Sequence, residues 1–196
     1  MKVLILGITP SPLTPVLETF GCRVVELEGY VDVDFIRKHS IDFAVSYRYR
    51  HLIAGSVIEY LDGKVINLHI SLLPWNRGAD PNLWSFLENT PKGVSIHYVD
   101  EGLDTGDIIA QKEITFEASN ATLSSTYKRL NDELLGLFRQ EWPLISKGKS
   151  SRCKQASGGS YHSSKDRRSF EYLIEERGWD TPVSALTGKA VARTRR

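Results

Sequence analysis

The stretch KVINLHISLLP, residues 64–74, combines a strand-like apolar run with two polar side chains. Its Val, Ile and Leu residues favour a strand, and Pro74 ends that strand because proline has no amide hydrogen to give to a sheet. Asn67 and His69 stand two positions apart, so on a strand both side chains point to the same face. A strand that served only the core would not need these two residues, and we therefore interpret them as candidates for a functional site.

The residues before this stretch alternate between strand-like and helix-like segments. KVLILGI, CRVVEL and DFAVSYRY have the β-branched and aromatic content of strands, and segments with apolar residues at helical spacing separate them. This alternation predicts a parallel α/β sheet with helices on both faces. The first strand–helix turn, GITPSP, lacks the GxGxxG spacing of dinucleotide sites, and the sequence contains no GxxxxGK[ST] phosphate loop.

Asn67 and His69 close the predicted fourth strand, and open α/β sheets bind ligands beyond the carboxyl ends of their strands. An amide N–H and a protonated imidazole both donate hydrogen bonds, and together they would stabilise the oxyanion of a tetrahedral intermediate. The turn EGLDTGD, residues 101–107, offers Asp104 and Asp107 as carboxylates, either of which would support the charged imidazole. The residues alone leave a structural alternative open, in which the pair bonds to loop backbone and Asp104 only shapes its turn.

Downstream of Pro74 the pattern changes from parallel to antiparallel. GVSIHYVD and DIIAQKEITFE flank the glycine-rich turn, which predicts an antiparallel strand pair. An apolar stripe predicts a helix over residues 123–145. A segment rich in Ser, Gly and Lys predicts a loop over residues 146–168, and SFEYLIEERG predicts a short terminal helix. We therefore expect one α/β domain over residues 1–145 and a C-terminal part over residues 146–196, ending in the basic tail KAVARTRR.

Composition and charge limit the classes of partner. The 196 residues carry a formal net charge of +1, which gives no case for nucleic acid. Cys22 and Cys153 lie far apart and outside any Cys/His cluster, so the chain has no ligand set for structural zinc. The sequence shows no secretory leader and no apolar run of roughly 18 residues, and we therefore expect a cytoplasmic protein that does not enter the membrane.

NLHISLLPWNRGADP, followed by GLDTGDIIAQ, resembles the catalytic domain of the folate-dependent formyltransferases. This family includes methionyl-tRNA formyltransferase, glycinamide ribonucleotide formyltransferase and the sugar N-formyltransferases. The shared pattern is Asn-x-His, a Ser-Leu-Leu-Pro loop and an Asp in a Leu-Asp-x-Gly turn. The resemblance covers about residues 1–145 and implies a Rossmann-like formyltransferase fold, whose mostly parallel sheet ends in a C-terminal antiparallel hairpin. It also implies transfer of a formyl group from 10-formyltetrahydrofolate to an amine, without a metal ion.

The resemblance assigns roles to particular residues of this chain. Asn67 and His69 would stabilise the oxyanion when an amine attacks the formyl carbon, and Asp104 would support His69 and help to remove the amine proton. The segment after the third strand and the turn that carries Asp104 would hold the folate, and the candidates are Tyr49, Arg50, Leu52, Ile53, Asp100 and Gly102. Leu52 and Ile53 have an alternative as helix-packing residues, and Arg50 has one as a solvated side chain.

Two differences from the larger family members indicate which kind of amine accepts the formyl group. The stretch before Asn67 is about one strand–helix unit shorter, and the chain lacks the C-terminal barrel with which methionyl-tRNA formyltransferase holds tRNA. We therefore expect a small amine, a nucleotide-linked amino sugar, in place of tRNA. The candidate acceptor residues are Trp75, Arg77 and Gly78. Trp75, Trp84 and Tyr161 are candidates to stack on a ring, and Arg77 or Lys165 to bind a phosphate. Each aromatic residue has an alternative as a core or interface residue.

Several alternatives share these residues. A 10-formyltetrahydrofolate hydrolase would use the same Asn, His and Asp but give the formyl group to water, and a non-catalytic folate- or nucleotide-binding module would keep only the fold. A metal hydrolase would need His69, His97 and Asp104 as ligands, although nothing in the sequence fixes their geometry. We interpret His97 as a structural residue of its strand. The sequence does not indicate an oligomeric state, and a homodimer is one possible assembly, since twofold dimers dominate symmetric oligomers.

Overall fold

The computed structural model describes residues 1–117 and 120–191 and confirms the predicted α/β fold. The described residues form eight strands, which are β1 (Lys2–Gly7), β2 (Arg23–Leu27), β3 (Phe43–Tyr47), β4 (Val65–His69), β5 (Arg77–Gly78), β6 (Gly93–Tyr98), β7 (Ile108–Glu113) and β8 (Tyr161–His162). They also form five α-helices, which are α1 (Thr14–Thr19), α2 (Val33–His39), α3 (Gly55–Tyr60), α4 (Pro81–Leu87) and α5 (Leu123–Ile145).

The larger sheet has six strands in the order β2-β1-β3-β4-β6-β7. Strands β1 to β4 pair in parallel, in the register that aligns Gly7 with Tyr47 and Tyr47 with Leu68. The carboxyl ends of β1, β3 and β4 therefore lie at one edge of the sheet, where such sheets bind ligands. Strand β7 is antiparallel to β6, because the Tyr98 amide donates to the Asp107 carbonyl at 2.9 Å and the Ile114 amide to the Lys92 carbonyl at 2.9 Å. The predicted antiparallel hairpin is confirmed.

The chain divides into two compact units. The first, here called the strand unit, contains residues 1–69, 96–110 and 135–154. Its core is apolar on both faces of the parallel strands, as expected for a sheet covered by helices. One buried cluster in it consists of Leu4, Leu6, Val31, Ile36, Ile41, Ala44, Val57, Leu61 and Val65.

The second unit, here called the loop unit, contains residues 70–95 and the described parts of residues 111–134 and 155–196. Helix α4 is its most buried element, and every residue from Asn82 to Leu87 is inaccessible to solvent or nearly so. Leu83, Trp84, Phe86 and Leu87 pack in one cluster with Leu123, Phe170, Val183 and Leu186. Residues from the C-terminal part of the chain thus complete the core of this unit.

Helix α5 has the bounds that the apolar stripe predicts. Its buried residues Leu130, Leu134, Phe138 and Trp142 recur every four positions, which places them on one face of the helix. The indole of Trp142 is fully buried and contacts the ring of Phe138 at 5.2 Å between centroids.

The C-terminal part differs from the sequence prediction in two places. The predicted loop over residues 146–168 contains β8, which pairs in parallel with β5. Each of these strands has two residues, too few to show the alternation by which a strand is recognised. The predicted terminal helix is a 3-10 helix, Asp166–Leu173. Residues 192–196 of the basic tail lie outside the described residues, and the boundary after residue 145 stays a prediction.

No helix within residues 1–117 and 120–191 is long and apolar enough to cross a membrane.

Gly7, the last residue of β1, tests how tightly the strand ends are packed. Its φ of +140° suits only glycine, and a Cβ atom there would lie 1.8 Å from the Tyr47 carbonyl oxygen. We expect Gly7→Ala to lower the free energy of unfolding by more than about 2 kcal/mol. Gly136→Ala is the matched control, because nothing lies within 4 Å of a Cβ there and the site is helical. Urea denaturation measures both, and equal loss in the two variants would contradict the packing argument.

Candidate active site

The Asp104 carboxylate brings the two predicted polar residues of β4 together. Asn67 Nδ2 donates to Asp104 Oδ1 at 3.0 Å, and His69 Nδ1 lies 3.6 Å from Asp104 Oδ2. The His69 side chain is 9% exposed and the Asp104 side chain 13% exposed, so water screens these contacts little. Sequence spacing predicted that Asn67 and His69 share a face, and the structure adds a carboxylate whose two oxygens each serve one of them.

His97, on the neighbouring strand β6, completes this cluster. His97 Nε2 lies 3.1 Å from Asn67 Nδ2 and 3.4 Å from Asp104 Oδ1, while His97 Nδ1 lies 2.8 Å from the Tyr98 carbonyl oxygen. A carbonyl oxygen only accepts, so Nδ1 carries a proton and donates it, and Nε2 of the neutral ring is left to accept from Asn67. Both N–H groups of the Asn67 amide are therefore engaged, one by Asp104 and one by His97.

The turn after β6 positions the Asp104 carboxylate. Asp104 has a left-handed backbone, with φ of 54°, which aspartate tolerates better than most residues. Asp100 Oδ1 accepts from the Gly102 amide at 3.1 Å and from Thr105 Oγ1 at 2.7 Å, and these bonds close the turn. Gly106 approaches the strand so closely that a Cβ atom would lie 1.8 Å from the Tyr98 carbonyl oxygen. Asp100 and Gly102 thus build the turn, and their contact with folate stays a prediction.

The folate candidates after β3 differ in exposure. Tyr49 donates from its hydroxyl to the Gly29 carbonyl at 2.8 Å, and burial raises the pKa of its phenol above the ordinary value. Ile53 packs against the core of the strand unit. Leu52 is 73% exposed and Arg50 is also exposed, so both side chains are accessible to a ligand. Ile53 therefore fits the alternative of a helix-packing residue, whereas the exposed Leu52 does not.

The acceptor candidates belong to the loop unit. Arg77 Nε and Nη2 donate to Gln155 Oε1 at 3.1 and 2.7 Å. Gly78 has φ of +87° and lies against β8, where a Cβ atom would stand 2.3 Å from the His162 carbonyl oxygen. Trp75 is half-buried.

Trp84 is not available as a ring platform. Its side chain is 4% exposed and stacks on His162 with 3.7 Å between ring centroids, so the alternative of core packing holds for Trp84 and it is not a ring platform. Tyr161 is 52% exposed, and Lys165 is exposed as well.

In the part of the chain that the structure describes, no group of three or more His, Cys, Asp or Glu side chains is arranged to hold a metal ion. His69, His97 and Asp104 lie together, and the Asn67 amide is hydrogen-bonded to two of them, His97 and Asp104.

Comparison with known proteins shows the family of the segment that carries these residues. The model of the family described as formyl transferase matches residues 16–138, which include Asn67, His69, His97 and Asp104. The chain belongs to the formyl transferase family. Its predicted resemblance to the folate-dependent formyltransferases is thereby confirmed.

Individual relatives cover the chain to different extents. Methionyl-tRNA formyltransferase of Fusobacterium nucleatum is 35% identical over 149 residues, 74% of this chain and 48% of the relative. The dTDP-4-amino-4,6-dideoxyglucose formyltransferase of Mycobacterium bovis is 30% identical over 138 residues, 70% of this chain and 58% of the relative. The chain thus spans about half the length of these curated relatives.

One solved structure matches over nearly the whole chain. The formyltransferase PseJ from Anoxybacillus kamchatkensis, in complex with UDP-4,6-dideoxy-4-formamido-L-AltNAc and tetrahydrofolate, is 48% identical with a TM-score of 0.92. The match covers 97% of this chain and 100% of PseJ. The expected formyltransferase fold is therefore confirmed, including residues beyond the family segment.

Sequence reasoning placed His97 with His69 and Asp104 only in the metal-hydrolase alternative and otherwise interpreted it as structural. Its strand alternates regularly, which is typical of a structural position, and its contact with Asn67 joins residues 30 positions apart. The sequence feature that could have identified His97 is its position on β6, the strand that leads directly into the turn with Asp104.

The contacts of His97 fix where its proton lies. We expect the neutral ring to carry the proton on Nδ1, because that nitrogen donates to the Tyr98 carbonyl and Nε2 accepts from Asn67. A two-bond ¹H–¹⁵N correlation spectrum measures this directly, with His97→Gln to assign the signals. A neutral ring protonated on Nε2 would contradict the arrangement.

Proposed function

We propose that this chain transfers the formyl group of 10-formyltetrahydrofolate to the amine of a nucleotide-linked amino sugar. The observation that carries the proposal is the contact of Asn67 and His69 with one carboxylate, Asp104, in a member of the formyl transferase family. The choice of acceptor is supported by the likeness to PseJ, whose structure contains a UDP-linked formamido sugar and tetrahydrofolate.

In the proposed reaction the amine nitrogen attacks the formyl carbon directly. The carbonyl oxygen becomes an oxyanion, which His69 and Asn67 stabilise by donating hydrogen bonds. The bond from the formyl carbon to the folate nitrogen then breaks, and that nitrogen takes up a proton as tetrahydrofolate leaves. Asp104 stabilises the charged His69 and helps to remove the proton from the attacking amine.

Asn67 needs a free N–H group to act on the oxyanion. Both of its N–H groups are engaged, by Asp104 at 3.0 Å and by His97 at 3.1 Å. The bond to Asp104 is charge-assisted and therefore the stronger of the two. We propose that the oxyanion replaces His97 as the acceptor, while Asp104 keeps the amide in place.

The remaining candidates divide between the two substrates. We propose that Tyr49, Arg50, Leu52 and Ile53 line the folate site together with the turn from Asp100 to Gly102. Trp75, Arg77 and Gly78 are proposed for the acceptor. A homodimer stays a prediction, and tRNA is not a proposed substrate.

The release of tetrahydrofolate tests the function and separates it from the alternatives. The protein is incubated with 10-formyltetrahydrofolate, with and without a panel of UDP- and dTDP-linked amino sugars. We expect release that requires one of the acceptors. Release without any amine would favour the hydrolase, and folate binding without release under all conditions would favour a binding module.

His69→Ala should reduce amine-dependent release by about a thousandfold or more, because the variant loses the charged donor to the oxyanion. Folate binding should stay within about twofold of the original, since a donor that acts on the transition state adds little to ground-state affinity. His39→Ala is the matched control, because the imidazole of this α2 histidine contacts Phe35 of its own helix and has no proposed part in the reaction. Full activity of His69→Ala would rule out the proposed mechanism.

Asp104→Asn should lower the rate by about a hundredfold or more and change the shape of the pH–rate profile. The amide keeps the size of the side chain but cannot stabilise a charged His69. Asp107→Asn is the control, because this carboxylate of the same turn pairs with Arg152 at 3.1 Å and has no proposed part in the reaction. An unchanged pH–rate profile in Asp104→Asn would refute the coupling between Asp104 and His69.

A further inference from the structure

A short parallel ladder holds the segment that follows His69 along the chain. The Arg77 amide donates to the Ser160 carbonyl at 2.9 Å, and the Ala79 amide to the His162 carbonyl at 2.8 Å. The Asn76 amide adds a bond to Ser160 Oγ at 3.0 Å. The C-terminal partners lie beyond the segment that the family model matches, so this arrangement is not a feature of the family segment itself.

Gln155 fixes the guanidinium of Arg77 without neutralising it. One amide oxygen accepts from both Nε and Nη2, at 3.1 and 2.7 Å, which holds the guanidinium plane in one orientation. The amide is uncharged, whereas Arg167 in the same unit pairs with the Asp80 carboxylate at 3.3 Å. A guanidinium has five N–H donors, and within residues 1–117 and 120–191 the Arg77 guanidinium donates to Gln155 alone, through two of them. The result is an oriented positive charge with further donors for a ligand.

The ring of Tyr161 lies over Gly78, the residue that follows Arg77. Tyr161 stands in register with Arg77 across the ladder. Gly78 leaves room for the ring, because a Cβ atom there would lie 2.9 Å from Tyr161 Cε2. The ring stays 52% exposed although its neighbour His162 is buried. An aromatic ring is thus held at the surface, over the residue that follows Arg77 in the chain.

We propose that Arg77, held by Gln155, binds the diphosphate of the acceptor and that Tyr161 stacks on its nucleobase. A guanidinium matches phosphate oxygens in charge and geometry, and an exposed aromatic ring stacks on the flat face of a base. This inference rests on the proposed function and extends it, because it makes Tyr161 a binding residue and Gln155 a positioning residue. The C-terminal segment then determines acceptor specificity.

Gln155→Glu separates binding from a purely structural role. The glutamate keeps an oxygen acceptor for Arg77 but neutralises its charge. Calorimetric titration with UDP alone should therefore show an affinity at least about tenfold lower than that of the original chain. Gln140→Glu, on the exposed face of α5, adds the same charge elsewhere and should leave the affinity unchanged. If Gln155 only held the loop in place, Gln155→Glu would bind UDP normally, and the inference would fail.

Tyr161→Ala should weaken UDP binding to a similar degree, and Tyr161→Phe should retain it, because stacking requires the ring and not the hydroxyl. Tyr172→Ala is the matched control, since Tyr172 is 55% exposed in the same unit. In turnover assays, Gln155→Glu and Tyr161→Ala should raise the KM for the acceptor and leave kcat and the KM for folate nearly unchanged.

Titration of the same samples with 5-formyltetrahydrofolate distinguishes the two levels of the proposal. We expect every variant to bind this folate as the original chain does. Failure of the original chain to bind UDP, or equal UDP affinity in all variants, would overturn the nucleotide site alone. Failure of the original chain to bind the folate would instead count against formyl transfer.

Discussion

The Asp104 carboxylate is the interaction on which the site depends. Its two oxygens contact three side chains from two strands, Asn67 and His69 of β4 and His97 of β6. These contacts are largely shielded from water, where electrostatic interactions are stronger and an unpaired polar group is costly. Removal of the carboxylate would leave the other polar groups without their common partner. The orientation of Asn67, His69 and His97 therefore depends on the position of the turn that carries Asp104.

The fold leaves the Asp104 carboxylate and the two β4 side chains little conformational freedom. Parallel pairing brings the carboxyl end of β4 to the edge of the sheet, and the two-residue period of a strand turns Asn67 and His69 to one face. The turn after β6 is closed by Asp100 through Gly102 and Thr105, which holds Asp104 at its left-handed backbone angle. The amide of Asn67 is oriented by acceptors on two sides. Donors that are already oriented need no rearrangement when negative charge develops on the formyl oxygen. The exception is the proposed replacement of His97 by the oxyanion as the acceptor for Asn67.

The sequence predicted the fold through features with a clear period. The alternation of strands and helices, the apolar stripe of α5 and the antiparallel hairpin were all recognisable. The Asn67–His69 spacing and the Leu-Asp-x-Gly turn led to three members of the site. Contacts between residues distant in sequence were not predictable in this way. His97 gave only a strand signal, β5 and β8 are too short for any pattern, and Trp84 showed no sign that His162 would cover it.

The central claim is that Asp104 acts through His69, as part of one catalytic unit. The most direct measurement is a double-mutant cycle on the single-turnover rate of formyl transfer, with His69→Ala, Asp104→Asn and the double variant. Residues that act together have non-additive effects on the rate. Asp104 also holds Asn67 and helps to remove the amine proton, so we expect the double variant to be slower than His69→Ala alone. Its rate loss should nevertheless be at least about tenfold smaller than the product of the two single losses. A rate loss equal to the product of the two single losses would show that Asp104 and His69 act independently, and would contradict the claim.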